Sequence, residues 1–484
     1  VLPDVQSFTS VISAWAREAA GDPGERADAL LQHMKEIRVM PNNLTYSACL
    51  SCWARSASVG DTSKKERAVT RAEDLFREMK EEFEIEPTVF VYTNLLNVYG
   101  KCNQAEKAQS FFEAWLNEYE QTRNPSLKPT NFTFTTILSA WSHSKHPQAA
   151  KKAHDILRHM KDYGLEPNVF NYSTVLDAYA KSRQHDALDQ ALALFQEMRD
   201  TAGLDLNSYV FTVVIKALAR QGRAEEAERV FHEMMTASDV GVDGIARKEH
   251  DDNARMTKEK KQKSGRRRVQ VKPDVYSISA VLYGWSKSSA PDAAERAEVF
   301  LVKMQELYQA KAIQEAPNLF CYNSVLACWA HSGIPGAAER AEQLMRAMMQ
   351  DQEQQQQRKR QDPSQQGCHS RGSMNSSRLQ PNLITWNTVI NAWANEGNWE
   401  RVESLYQELQ RKSQRDSRLI PDAYTYRAIW KAVQKTDALT TDSKQQILFL
   451  LSDKFTELGV EPPKDMKMEL NRLRGNTSND GMTK

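Results

Sequence analysis

Cys49 and Cys52 form a C-x-x-C pair, a grouping whose residue types and spacing could do dithiol redox chemistry or supply half of a zinc site. A structural zinc site needs a second ligand pair, and none accompanies this one. Cys49 also stands in a periodic apolar pattern at a place held by valine or isoleucine elsewhere, so it is expected to pack in a core. His143 and His146 fall past the end of an expected helix and have no partner motif. There is no phosphate loop, nucleophile elbow or H-E-x-x-H. The residues therefore give no support for an enzyme, a metal or a cofactor. What recurs regularly instead is a short polar residue (Ser, Thr, Asn or Asp) where helices start, and this directs attention to the helices themselves.

Those helices repeat. An apolar stripe at i, i+3, i+4, i+7 occurs ten times, from Phe8/Val11/Ile12/Trp15 and Tyr46/Cys49/Leu50/Trp53 to Trp386/Val389/Ile390/Trp393 and Tyr426/Ile429/Trp430/Val433. This spacing predicts amphipathic helices. A second stripe follows each of the first nine, commonly small, bulky, bulky, methionine, as in Ala27/Leu30/Leu31/Met34 and Ala153/Ile156/Leu157/Met160. Each unit is thus a helical hairpin that cannot bury both stripes alone, and neighbours must stack into an all-α solenoid. Units close on a proline and a short polar residue, such as Pro41-Asn42, Pro167-Asn168 and Pro273-Asp274; Leu206-Asn207 is the one that lacks the proline.

The repeats are expected to begin near 5, 43, 89, 131, 169, 208, 275, 319, 383 and 423, forming one solenoid over 5–463. Two stretches interrupt it before a closing proline, where loops tolerate insertion. Residues 238–270 end in a basic run that includes Lys260, Lys261, Arg266, Arg267 and Arg268; residues 351–379 are rich in Gln, Ser and Arg. Their low apolar content predicts disorder, and 464–484 reads as a polar, fraying tail. No apolar run is long enough to cross a bilayer. The six cysteines lack a disulfide-framework spacing, which suggests reduced thiols in an intracellular compartment. A chain opening at Val1, with Leu2-Pro3-Asp4 like the end of an earlier repeat, is expected to be a fragment whose targeting segment would lie upstream.

The unit resembles the pentatricopeptide repeat, whose pattern is Pro-Asp, a Thr-Tyr-Asn-type opening, then Glu-Ala-x-x-Leu-Phe-x-x-Met; Pro167-Asn-Val-Phe-Asn-Tyr-Ser-Thr-Val-Leu nearly reproduces that opening. Nine units match well, and the tenth, from Ala423, matches in its first helix. The resemblance implies a right-handed superhelix of stacked hairpins that binds single-stranded RNA, one repeat per base. It assigns base reading to the residue after each helix-opening aromatic and the last residue of the unit. The implied pairs are Thr9 with Asn42, Ser47 with Thr88, Thr93 with Thr130, Thr135 with Asn168, Ser173 with Asn207, Thr212 with Asp274, Ser279 with Asn318, Asn323 with Asn382, and Asn387 with Asp422. By the family's code, Thr or Ser with Asn implies adenine, Thr with Asp guanine, Asn with Asn a pyrimidine and Asn with Asp uracil. Physically, an ionised Asp only accepts, which suits the ring N–H of guanine or uracil, while Asn both donates and accepts. The two pairs ending in Thr88 and Thr130 leave their bases open, so the implied target is 5′-ANNAAGAYU-3′. Arg427 replaces the small polar residue in the tenth unit, which then caps the array and reads nothing.

Three residues before the reading residue, the family places a side chain that wedges between bases; here it is Phe90, Phe132, Phe170, Tyr209, Tyr276, Phe320 and Ile384, with Gln6 and Leu44 departing from the trend. The competing account is that these aromatics pack between hairpins while the polar residues merely start helices, leaving a scaffold for protein partners. A formal charge of +1 is modest for a nucleic-acid binder, although local charge on one face matters more than the net. The resemblance further implies a monomer without a membrane role, in a mitochondrion or chloroplast, acting on RNA stability, processing or translation alongside RNA-processing partners.

Overall fold

The computed structural model describes residues 3–17, 21–182, 184–201, 204, 206–237, 271–361 and 379–479, and among these it is helical, with no strand. It divides into two compact units, Val1–Ala217 and Leu218–Lys484, with the division inside one helix. The first unit runs through hairpins α1 (Val5–Trp15) with α2 (Pro23–Glu36), α3 (Asn43–Val59) with α4 (Thr62–Arg77), α5 (Val89–Lys101) with α6 (Ala105–Thr122), α7 (Asn131–His143) with α8 (Ala149–Asp162), and α9 (Val169–Lys181) with α10 (Ala187–Asp200). The division falls in α11 (Ser208–Arg220), which α12 (Ala224–Ala237) follows in sequence. The second unit continues with α13 (Val275–Lys287) and α14 (Ala293–Gln309), α15 (Leu319–Ser332) and α16 (Ala337–Gln361), α17 (Leu383–Glu396) and α18 (Trp399–Ser413), α19 (Ala423–Lys435) and α20 (Thr441–Glu457), then α21 (Lys464–Asn479).

The apolar stripes make the stack. Successive first helices pack on one another, α1 through α9 in one unit and α13 through α19 in the other, and second helices fill the grooves between them. The stripe residues Tyr46, Ile137, Leu176, Val281, Leu326 and Ile390 are fully covered, as are Met34, Met79, Met160 and Met304 of the second helices. Each such side chain contributes about 1.5–3 kcal/mol by leaving water. Val11 departs from its stripe and is 44% exposed. Cys49 and Cys52 are buried core residues; burial pushes Cys49 well above the ordinary thiol range and Cys52 up to about 12, the reverse of an activated thiol.

Polar rungs tie consecutive hairpins at the far end of the first helices. Trp393 Nε1 on α17 donates to Glu342 on α16 at 2.9 Å, and Arg401 on α18 pairs with the same carboxylate. Trp329 and Arg340 share Glu298 in the same way, as do Trp53 and Arg71 with Asp28. Burial alone would raise the Glu342 carboxyl, but Arg401, Arg346 and the indole N–H outweigh it and hold the group below its ordinary value. One rung differs: the imidazole of His154 meets Tyr179 OH at 2.8 Å.

Three sequence expectations change. The segment after Pro463 is not a fraying tail: α21 seats Met466 and Leu470 in the core, and Asp465 accepts from Trp430 Nε1. The tenth unit gains a second helix, α20, burying Leu448, Leu451 and Phe455. Residues 351–361 prolong α16 instead of opening a disordered insertion, as strong helix formers such as Gln, Glu, Arg and Lys permit. The remainder of 351–379 up to 378, and all of 238–270, lie outside the described residues.

Candidate functional site

Every first helix from α3 onward starts after one of the polar residues singled out above. Asn42, Thr130, Asn168, Asp274, Asn318, Asn382 and Asp422 are N-caps whose side-chain oxygen accepts a backbone N–H from the first turn, at 2.8–3.3 Å. Asn207 does the same toward Val210 N at 3.1 Å. Thr88 holds the N-cap position without a side-chain bond. Capping occupies one oxygen and, in a carboxamide or carboxylate, leaves the other polar atom unused by the cap. An Asn so placed offers its Nδ2 donors, whereas an Asp offers its second, anionic acceptor.

The partner of each pair lies five residues past its own N-cap, and several pairs meet physically. Asn387 Nδ2 donates to Asp422 Oδ1 at 2.9 Å, and Asn323 Nδ2 stands 3.5 Å from Asn382 Oδ1. Thr9, Thr93 and Thr135 reach their partners through one intervening residue: Thr45, Thr133 and Asn171, at 2.9, 3.1 and 2.7 Å. Ser47 is held by Asn94 Nδ2 instead, at 2.7 Å. Ser173 and Ser279 turn back to the carbonyls of Phe170 and Tyr276 on their own helices. Thr212 donates to the Ser208 carbonyl in the first unit, while Asp274 belongs to the second. Thr93, Ser173 and Thr212 are nearly covered, at 3%, 5% and 6% exposed, because a short side chain here sits on the floor between helices.

The aromatic positions are the opposite case. Phe90, Phe132, Phe170, Tyr209, Tyr276, Phe320 and Ile384 are 52–65% exposed, and Phe320 also meets the Tyr283 ring of the preceding hairpin at 6.3 Å. Leu44 and Tyr424 are exposed too, at 64% and 69%, and the Arg427 guanidinium lies over the Tyr424 ring. Between Phe170 and Tyr209 lies a groove of about 600 Å3, lined also by Asn168, Ser173, Asn207 and His143. A similar groove in the first hairpin is lined by Thr9, Asn42, Leu44 and Arg17.

Arg17 and His143 belong to a row of basic residues that sequence reasoning missed. Thirteen residues after each polar N-cap stand Arg17, Arg55, Lys101, His143, Lys181, Arg220, Lys287, His331 and Lys435, with Asn395 as the exception, and all nine are exposed. Eleven residues separate an aromatic from its cation, about 20° of helical phase and about 16 Å of rise, which puts both on one face. A cation in the last turn also suits the helix dipole. The signal was available: it emerges once repeats are aligned on their N-caps rather than on their aromatics. The residues carrying the intervening bonds, Thr45, Thr133, Asn171, Thr385 and Thr425, were missed too, although a capping-box spacing marks them.

Among the described residues no group of His, Cys, Asp and Glu is placed to hold a metal ion, and no helix is long and apolar enough to cross a membrane. Comparison with known proteins adds the family. The model for the pentacotripeptide-repeat region of PRORP matches residues 56–237, and that for the PPR repeat matches 384–413. These stretches of the chain are pentatricopeptide-repeat sequence. A chloroplastic pentatricopeptide repeat-containing protein of Arabidopsis thaliana is 29% identical over 153 residues, 32% of this chain and 17% of that protein. A second from the same plant is 26% identical over 141 residues, 29% of each. The chain thus spans less than a third of the length of these pentatricopeptide relatives. The crystal structure of the pentatricopeptide repeat protein PPR10 from maize aligns with 99% of this chain and 79% of its own, at 18% identity and a TM-score of 0.35.

Proposed function

We propose that this pentatricopeptide chain binds single-stranded RNA and reads it one base per hairpin. The observation that carries the reading is the groove between Phe170 and Tyr209, where two exposed rings flank the polar groups of Ser173, Asn168 and Asn207, with His143 on the same lining. Rings stack on any base, worth about 1–3 kcal/mol each, and the polar pair supplies the choice. The cation row meets the phosphates, so affinity comes from local charge although the net is +1.

The outward-facing atoms give each pair a polarity. With Asp422 Oδ1 taken by the α19 N-terminus and by Asn387, its other oxygen accepts from a ring N–H while the second Asn387 Nδ2 proton donates to a base carbonyl. That combination fits uracil at the ninth base. In the eighth pair Asn382 Oδ1 caps α17 and Asn323 Oδ1 accepts from Thr385, so both carboxamides offer donors. Cytosine, with O2 and N3 as acceptors, fits; the ring N–H of uracil does not. The target is then 5′-ANNAAGACU-3′, held single-stranded by a monomer and so shielded from nucleases or presented to a processing factor, in an organellar transcript.

The test is binding of a labelled RNA carrying this sequence against a scrambled one, alongside Asp422→Asn. Preference for the target, with the ninth base moving from uracil toward cytosine in the variant, is expected. Absence of binding to any single strand at moderate salt would instead favour a scaffold for protein partners.

A further inference from the structure

We infer that the third residue of the following first helix is a positioning residue for base choice: it fixes which end of the reading carboxamide or hydroxyl faces the base. This rests on the RNA reading above. Thr385 is the clearest case. It is fully buried beneath the eighth pair, accepts from Asn382 N at 3.2 Å and donates its hydroxyl proton to Asn323 Oδ1 at 2.8 Å. A hydroxyl has one proton, and the shorter contact takes it. Asn323 is therefore held with its carbonyl turned inward and Nδ2 outward. Without that donor the carboxamide is free to turn over and present an acceptor. Thr425 acts in the same way on Asn387, at 2.7 Å.

Thr45, Thr133 and Asn171 make the equivalent link in the first, third and fourth hairpins, and three other repeats lack it. The third residue is Val91, Val210 and Cys321 after the second, fifth and seventh reading residues, all fully buried and none with a hydroxyl. There the reading hydroxyl bonds to its own helix or to Asn94, and no bond ties it to the N-cap ahead. The array is accordingly of two kinds, repeats that choose and repeats that mainly bind. Discrimination concentrates in the first, third, fourth, eighth and ninth hairpins.

The experiment measures, on the full chain, the ratio of affinities for RNAs with C or U at the eighth base and with U or C at the ninth. The wild type is expected to favour C at the eighth by about fivefold or more, one net hydrogen bond. Thr385→Val should bring that ratio close to one while leaving the ninth-base ratio unchanged; Thr385→Ser should keep it. A purely structural role would lower the unfolding midpoint or all affinities alike and leave the ratio intact, and that result overturns the inference. Val210→Thr gives an independent arm should Thr385→Val fail to fold: selectivity for adenine at the fifth base must rise, and an unchanged selectivity refutes the inference. A wild type that binds no single strand would instead refute the RNA reading itself.

Discussion

In the proposed RNA reading, the N-cap carboxamides and carboxylates serve the fold and the ligand with different atoms. Oδ1 of Asn168 holds the first turn of α9, so substituting this residue changes helix stability as well as recognition, typically by about 1 kcal/mol. The exposed rings carry no such double duty. Phe170 is 58% exposed, and truncating it removes almost no core. Phe170→Ala should therefore weaken binding to the target RNA by about 1–3 kcal/mol while leaving the thermal midpoint nearly unchanged. A midpoint that falls with unchanged affinity would mean the ring serves packing alone.

Hairpin contacts depend on how each rung is built. Most use an indole or phenol with a carboxylate or carboxamide, but between α8 and α9 the rung is His154 with Tyr179. Burial, with Arg158 beside it, holds the imidazole below its ordinary value of 6.5. Burial likewise lowers His232, against the opposing effect of Glu228. The sign follows: an unfolded chain binds protons on these rings below pH 6.5 that the folded chain refuses, so stability is full above that value and declines as pH falls through the window below it. Denaturant midpoints measured from pH 7 to pH 5 should fall, and His154→Gln should flatten part of the slope. A slope identical in the variant would remove His154 from the account. Carboxylates such as Glu342, whose value is lowered, act only at more acid pH.

Over the whole molecule, charge is placed rather than abundant. Seven exposed lysines and arginines and two exposed histidines, one per hairpin except the ninth, each lie on the same helix face as the aromatic position of that hairpin, in a chain of formal charge +1. If each meets a phosphate, log K against log salt steepens by about 0.7 per contact, so Arg55→Ala with Lys101→Ala should reduce the slope by about 1.4 without changing base preference. An unaltered slope would leave these cations serving only their helix dipoles. Much of this was legible in the residues themselves. Period and stripe fix hairpins because an amphipathic helix has one way to hide its apolar side, and a proline followed by Asn, Asp or Thr marks each start because few residues cap an N-terminus. The stacked partners of Tyr46 or Ile390, and the pairing of Asn387 with Asp422 in the next unit, follow from the same period. Sequence did not decide that Lys464–Asn479 would fold, since its composition is polar and it docks through Met466 and Leu470, which meet a prepared surface. Nor did it decide which way a carboxamide faces: Asn323 and Ser279 occupy equivalent places, and only the neighbour across the helix interface, Thr385 in one case and Cys321 in the other, sets whether the group is held by one anchor or two. Local pattern determines elements because it acts within a turn of helix; hydrogen-bond polarity depends on atoms brought together from different repeats, and only the packed structure brings them there.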